Sequence, residues 1–281
     1  MAVVEAPLGG PGAPTPSTAG STVRAILAAY EHQWLLYLRT WRGSIFGSFA
    51  QPVLFLVAMG IGLGSLVDAG SGAEALGGVP YLQWLAPALL VSTVMQGSVM
   101  EATFPVLAGF HWIRRFHAMY ATPLTPFAIA FAQLAWIATR ATLVGAIFCL
   151  VIIAFGAAAT PGIVMVVPVG TLTALAFAGP IAAYMSSQRD TGAFNAIWRF
   201  GITPLFLFSG TFFPIDQLPA FLQPIAWLLP LWHGVDLGRA FALGTVMDNP
   251  PLMLAHLVIL ATGAVVGVGA TFVMFRRKLE R

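Results

Sequence analysis

The sequence predicts an all-α membrane protein: six transmembrane helices, an N-terminal amphipathic interface helix, and broken extracytoplasmic re-entrant helices before the last span. Three observations predict it. Of 281 residues, 58% are hydrophobic and only 8% charged, against about 25% charged in soluble domains. Apolar runs recur at the length of about 20 residues that a bilayer crossing requires. Lys and Arg fall almost entirely on alternate loops, as the positive-inside rule describes.

These properties exclude several classes. A mean hydropathy of +0.86 leaves too few charges to clothe a soluble enzyme, and a disordered chain would need the opposite composition. The single cysteine, Cys149, sits in an apolar run and rules out an intramolecular disulfide framework or a Cys-rich zinc site. The net charge of +3 lies beside apolar spans and forms no continuous patch, so no nucleic acid is expected as a partner.

Along the chain, residues 1–21 read as a Pro/Gly-rich disordered tail without the basic and apolar regions of a signal peptide. Residues 22–45 read as a cytoplasmic amphipathic interface helix. Ile26, Leu27, Tyr30, Trp34, Tyr37, Leu38 and Trp41 recur at helical spacing, with Arg24, Glu31, Arg39 and Arg42 among them. Residues 46–281 form the transmembrane domain. Its spans are expected at about Phe46–Val67, Tyr81–Phe104, Phe127–Phe155, Gly162–Met185, Phe194–Phe213 and Leu254–Phe275. Pro204 should kink the fifth. The glycines Gly60, Gly62 and Gly64 end the first span and read as close helix packing, since Ser65 stands where a dinucleotide fingerprint needs glycine.

Eleven of the 13 basic residues then lie on one side, including Arg114, Arg115, Arg189 and the Arg276–Arg277–Lys278 cluster. Asp68, Glu74, Asp216, Asp236 and Asp248 occupy the other. Both termini are therefore expected in the cytoplasm of a multi-pass plasma-membrane protein. Arg outnumbers Lys 12 to 1, which suits a GC-rich bacterial genome.

Catalytic signatures are sparse. The only lysine, Lys278, follows Arg277, so no phosphate-cradling Gly-Lys-Ser/Thr loop exists. An intramembrane serine protease would need Gly-x-Ser-Gly, but Leu207-Phe208-Ser209-Gly210 lacks the leading glycine, although His256 occupies a fitting place in the last span. Ionisable groups within a membrane are functional candidates by default. Arg140 in the third span and Glu101 near the end of the second are such groups. Measured from the span ends, their depths differ by roughly 10–20 Å, so no pairing is expected; Gln133 or Gln96 is the expected partner of either. They line a substrate route or anchor helices to one another.

Two segments look like machinery. The loop of residues 109–126 is aromatic and basic; Phe110, Ile113, Phe116, His117 and Tyr120 fall near one helical face, and Pro123 and Pro126 end the run. So much apolar area in a cytoplasmic loop marks a contact surface or an interfacial helix in lipid headgroups. The other segment, residues 208–234, is cut by Pro214, Pro219, Pro224 and Pro230 into pieces too short to span. It is also too apolar to be a free loop, so short helices folded into the outer leaflet are expected.

The run FSGTFFPIDQLPAFLQPIAWLLPLWHGVDLGRA resembles the segment before the last span of ABC-2 type exporter permeases. YATPLTP resembles the stretch after that family's coupling helix, and RTWRGSIFGSFAQPVLFLVAMGIGLG its nodulation lipo-oligosaccharide and daunorubicin-type branch. The resemblance implies a non-catalytic permease half. It would pair with a second half as a homodimer or heterodimer and work with two separate ABC ATPase subunits, which bind the ATP and magnesium. By position, Arg114, Arg115, Phe116, Met119 and Tyr120 would couple to the ATPase. Substrates in this branch are amphipathic: lipid-linked saccharides, glycolipids or hydrophobic drugs. Phe206, Phe208, Phe212 and Phe213, with Glu101 and Arg140, are the substrate-pathway candidates; packing against lipid or a second copy is the better reading for most of the phenylalanines. The alternatives are an intramembrane enzyme and an ion-coupled transporter using Arg140 and Glu101.

Overall fold

A computed structural model of the chain describes residues 19–70 and 76–281, and the described residues form helices and connecting turns. The expected tail up to residue 18, and Glu74, lie outside the described residues. Helix α1 (Ala19–Phe55) passes into a π-helical stretch (Leu56–Leu63) and then α2 (Gly64–Ala69) without a break. The boundary expected between interface helix and first span therefore falls inside one helix. No proline or cap stops the chain there, and helical backbone hydrogen bonds suit headgroup and hydrocarbon layers alike. Gly60, in the π stretch, lies where an added Cβ would collide with Leu82, so this glycine admits the next helix closely.

Among the described residues, four helices are long and apolar enough to cross a membrane. Helix α3 (Tyr81–His111) is the central one, buried along most of its length. The short α4 (Arg115–Tyr120) follows, then α5 (Pro126–Ala154), whose start is fixed by Thr125: its side chain accepts from the Ala128 amide at 3.2 Å, and Pro126 needs no partner at the first position. A 3-10 turn (Pro161–Met165) leads into α6 (Val166–Ser187). Helix α11 (Pro250–Leu279) is capped by the Asn249 side chain and exposes Leu254, Leu257, Val258, Val265, Val266 and Val273, an outward apolar ridge suited to lipid.

The fifth expected span is shorter than anticipated. Helix α7 (Gly192–Ala196), a π turn (Ile197–Ile202) and α8 (Thr203–Phe208) form one rod that stops at Phe208, and residues 209–213 are bends. Pro204 removes one backbone donor, and the wide π turn just before it absorbs the mismatch. The proline-cut segment then breaks where expected. A 3-10 turn (Ile215–Gln217) follows Pro214, α9 (Gln223–Leu228) has Pro224 in its first turn, and α10 (Pro230–Leu243) starts on Pro230. Gly244 closes α10 with a positive φ of 80°.

Between apolar helices in lipid, close approach and buried hydrogen bonds replace hydrophobic driving force. The α6–α11 crossing shows both. Gly179 and Gly267 stand backbone to backbone, and Thr271 Oγ1 donates to the Gly179 carbonyl at 2.8 Å. One core cluster gathers Phe110, Phe116, Ile129, Met185, Phe275 and Leu279. These residues come from the end of α3, α4, the start of α5, the end of α6 and the end of α11. The basic loops that the sequence assigns to one side therefore meet at one end of the molecule.

Candidate functional site

Helix α1 packs against α5 through aromatic rings and amides. Tyr30, Trp34 and Tyr37 surround Trp136 at centroid distances of 6.2, 6.3 and 5.5 Å. Gln33, on the same face, donates its Nε2 to Gln133 Oε1 at 2.7 Å. Arg115, on α4, reaches in to both amides, at 3.2 Å to Gln33 Oε1 and 3.1 Å to Gln133 Oε1. Burial draws the Arg115 guanidinium below its ordinary pKa, opposed by the Glu101 carboxylate.

Contrary to the depth expectation, Arg140 and Glu101 form an ion pair, Nη2 to Oε1 at 3.4 Å, with side chains 20% and 25% exposed. Gln133 turns to Arg115 instead, and the Tyr37 ring covers the Arg140 guanidinium at 4.9 Å. Glu101, Arg115, Gln133, Arg140 and Gln33 line one cavity of about 230 Å³ between α1, α3 and α5. The coupling candidate Arg115 and the pathway candidates Glu101 and Arg140 thus share a site. Gln33 was missed, although its spacing of three from Tyr30 and four from Tyr37 puts it on the aromatic face.

The loop of 109–126 is not one helical face. Helix α3 ends at His111, and Arg114 takes a left-handed conformation, φ 52°, that reverses the chain into α4. Phe116 is 1% exposed and packs at a tilt against Phe110 and Phe275, with centroids at 4.7 and 5.0 Å. Met119 is partly buried on the same cluster. Trp112, Ile113, Arg114 and Tyr120 face outward. Of the five coupling candidates, three therefore hold the loop to the body, and two, Arg114 and Tyr120, are presented at its surface.

The phenylalanine candidates diverge as well. Phe206 packs edge-on to Phe212 at 5.0 Å against the main core, Phe213 packs over the small cluster of Ile215 and Leu218, and Phe208 is exposed. Ser209 and His256 have separate partners. The Ser209 hydroxyl, just past the end of α8, donates to the Leu205 carbonyl of that helix. His256 Nε2 meets Asp236 Oδ2 at 3.1 Å, and its Nδ1 meets His233 Nδ1 at 2.7 Å. Burial first, and His256 second, push His233, on α10 outside the four long spans, down to about 4. Arg239, the basic residue on the side of the acidic loops, lies over the Trp84 ring at 3.6 Å and donates to the Trp84 and Gly210 carbonyls. It ties α10 to the start of α3 and to the bend after α8. Among the described residues, no group of three or more His, Cys, Asp or Glu side chains could hold a metal ion.

The ABC-2 type transporter family model matches residues 24–243. The chain is 32% identical to Nodulation protein J of Rhizobium leguminosarum bv. viciae, over 91% of this chain and 95% of that protein. It is 30% identical to Nodulation protein J of Neorhizobium galegae, over 91% and 94%, and 29% identical to that of Rhizobium meliloti, over 90% and 93%. With its apolar membrane-length helices and a family match over most of its length, the chain is a multi-pass membrane protein belonging to the ABC-2 type transporter family.

Proposed function

We propose that this chain is the permease half of an ATP-driven exporter in a bacterial plasma membrane. It moves an amphipathic substrate, a lipid-linked saccharide, glycolipid or hydrophobic drug, from the cytoplasm or inner leaflet outward. Six spans put both termini in the cytoplasm: the four long helices, the rod from residue 46 to Ala69, and the rod from Gly192 to Phe208. A second permease half and two ATPase subunits complete the assembly, and ATP with magnesium belongs to the ATPase.

One observation carries the coupling. The α4 loop is anchored from beneath by Phe116 and wired through Arg115 to Gln33 and Gln133, while Arg114 and Tyr120 stay outside. A rigidly held, aromatic and cationic knob is what a push from a soluble motor needs in order to reach the spans. The outward residues, with Trp112 and Ile113, form the ATPase contact, and Phe116, Met119 and Arg115 transmit the movement.

The test is co-purification with a candidate ABC ATPase subunit co-expressed with this chain. Arg114→Glu should lower recovery roughly tenfold or more, the scale of a charge reversal in an interface, with membrane insertion unchanged. The chain alone should hydrolyse no ATP. Undiminished recovery, or hydrolysis by the isolated chain, would overturn the proposal. The Arg140–Glu101 pair keeps one rival in play, an ion-coupled transporter. Transport that continues on a proton or sodium gradient after ATP is withdrawn would favour it.

A further inference from the structure

We infer that the cavity between α1, α3 and α5 binds the anionic headgroup, phosphate or sulfate, of an amphiphile from the inner leaflet. Two guanidinium groups, Arg115 and Arg140, and one carboxylate, Glu101, line it, which leaves one positive charge in excess. Among the described residues, Glu101 is the carboxylate acting on Arg115. Uncompensated charge at this depth is costly and calls for a counter-ion.

The hydrogen-bond inventory points the same way. Gln133 Oε1 accepts from both Gln33 and Arg115, and Gln33 Oε1 accepts from Arg115. The amide acceptors are engaged, whereas donors remain. Arg115 Nε is buried with no partner. Arg140 meets Glu101 through Nη2 alone, at 3.4 Å. A guanidinium has five N–H donors in a planar fork that matches phosphate or sulfate oxygens. A volume of about 230 Å³ accommodates such a group.

An amphiphile fits better than a free ion. Trp136 and Leu36, the latter 48% exposed, form part of the wall. A chain attached to the headgroup would lie along them. The inference rests on the permease proposal for the position of this cavity in the inner leaflet. It reads occupancy and not transport, so its failure would leave the transport proposal standing.

The experiment uses the full chain in neutral detergent. Native mass spectrometry counts retained phosphatidylglycerol against phosphatidylcholine, and thermal unfolding is followed with inorganic sulfate. Phosphatidylglycerol should be retained about tenfold better than phosphatidylcholine. Arg140→Gln and Arg115→Gln should each weaken retention roughly 10- to 100-fold, the worth of charged hydrogen bonds. Glu101→Gln removes the competing carboxylate and should tighten it, a change in the opposite direction that a folding defect would not produce. A sulfate-induced rise in melting temperature with the same variant order, but no preference for phosphatidylglycerol, supports the anion site with a free ion as its source. Retention and melting that are indifferent to all three variants would overturn the inference.

Discussion

Replacing Phe116 with alanine tests whether the α4 loop is held from beneath. The ring is 1% exposed and closes a trio with Phe110 and Phe275, whose centroids lie 4.7 to 5.0 Å apart. A Cβ added at Gly109 would stand only 2.5 Å from Phe116 Cε2, so the ring sits directly on the backbone of α3. Truncating a buried Phe costs about 3–5 kcal/mol. That loss falls on a helix of six residues, which can open locally while the spans stay folded. At 1.4 kcal/mol per factor of ten, the open loop becomes roughly 100- to 4000-fold more populated. The bonds from Arg115 to Gln33 and Gln133 remain, which places the expectation toward the lower end. Ile113→Ala is the control, because that side chain is 73% exposed and should change the population by about twofold or less. Trypsin cuts after Arg114 and Arg115, and when opening is fast its initial rate follows the open fraction. If Phe116→Ala is cut no faster than Ile113→Ala, Phe116 does not anchor the loop.

Further predictions concern the helix crossing and the histidine pair. A Cβ at Gly179 would come 2.5 Å from the Gly267 carbonyl carbon, and backbone cannot yield as a side chain can. Gly179→Ala should therefore destabilise the chain by about 1–3 kcal/mol. Gly269→Ala, which meets nothing within 4 Å, should be close to neutral, and equal melting temperatures for the two would contradict the close crossing. His233 is held neutral by burial and by His256, at about 4, below its ordinary value of about 6.5. The unfolded chain binds the proton first as pH falls, so the stabilising contribution is complete above about pH 6.5 and is lost progressively toward pH 4. Melting in detergent should fall over that window, and His233→Gln, which cannot charge, should flatten the fall; a slope unchanged by the substitution would place the titration elsewhere.

Much of the fold was legible because a bilayer restricts the choices. Length and hydropathy located Tyr81–His111, Pro126–Ala154, Pro161–Ser187 and Pro250–Leu279 with only their ends in error. The alternation of basic and acidic loops predicted which helix ends meet. The breaks at Pro214, Pro224 and Pro230 were legible too, since each proline carries its own backbone constraint. Tertiary choices without a local signature were not. Nothing in α1 marks where a headgroup-layer helix becomes a span. The turn at Arg114 uses a non-glycine residue at positive φ, for which the sequence offers no flag. That turn separated Phe116 from Ile113, turning one inward and the other outward, although helical spacing had put them on one face.

The ion pair between Glu101 and Arg140 shows most clearly where depth arithmetic fails. Measured from Phe104 and Phe127, the expected ends of their spans, the two residues differ in depth by about 15 Å at 1.5 Å per residue. The helices do not end there. Helix α3 continues to His111 while α5 starts at Pro126. Counted from those ends, Glu101 and Arg140 differ by about 6 Å, within reach of a long guanidinium side chain. Hydropathy locates the edge of the hydrocarbon, but side chains meet according to where the helices themselves stop. The expected end at Phe104 stopped short of Val106, Leu107, Ala108 and Phe110, apolar residues that carry α3 on to His111. The same extension carries α3 down to the α4 turn, and this lets Arg115 fold back onto Gln33 and Gln133 beside the ion pair. Two groups of candidates that the sequence kept apart, the loop and the intramembrane charges, are joined by seven residues of helix.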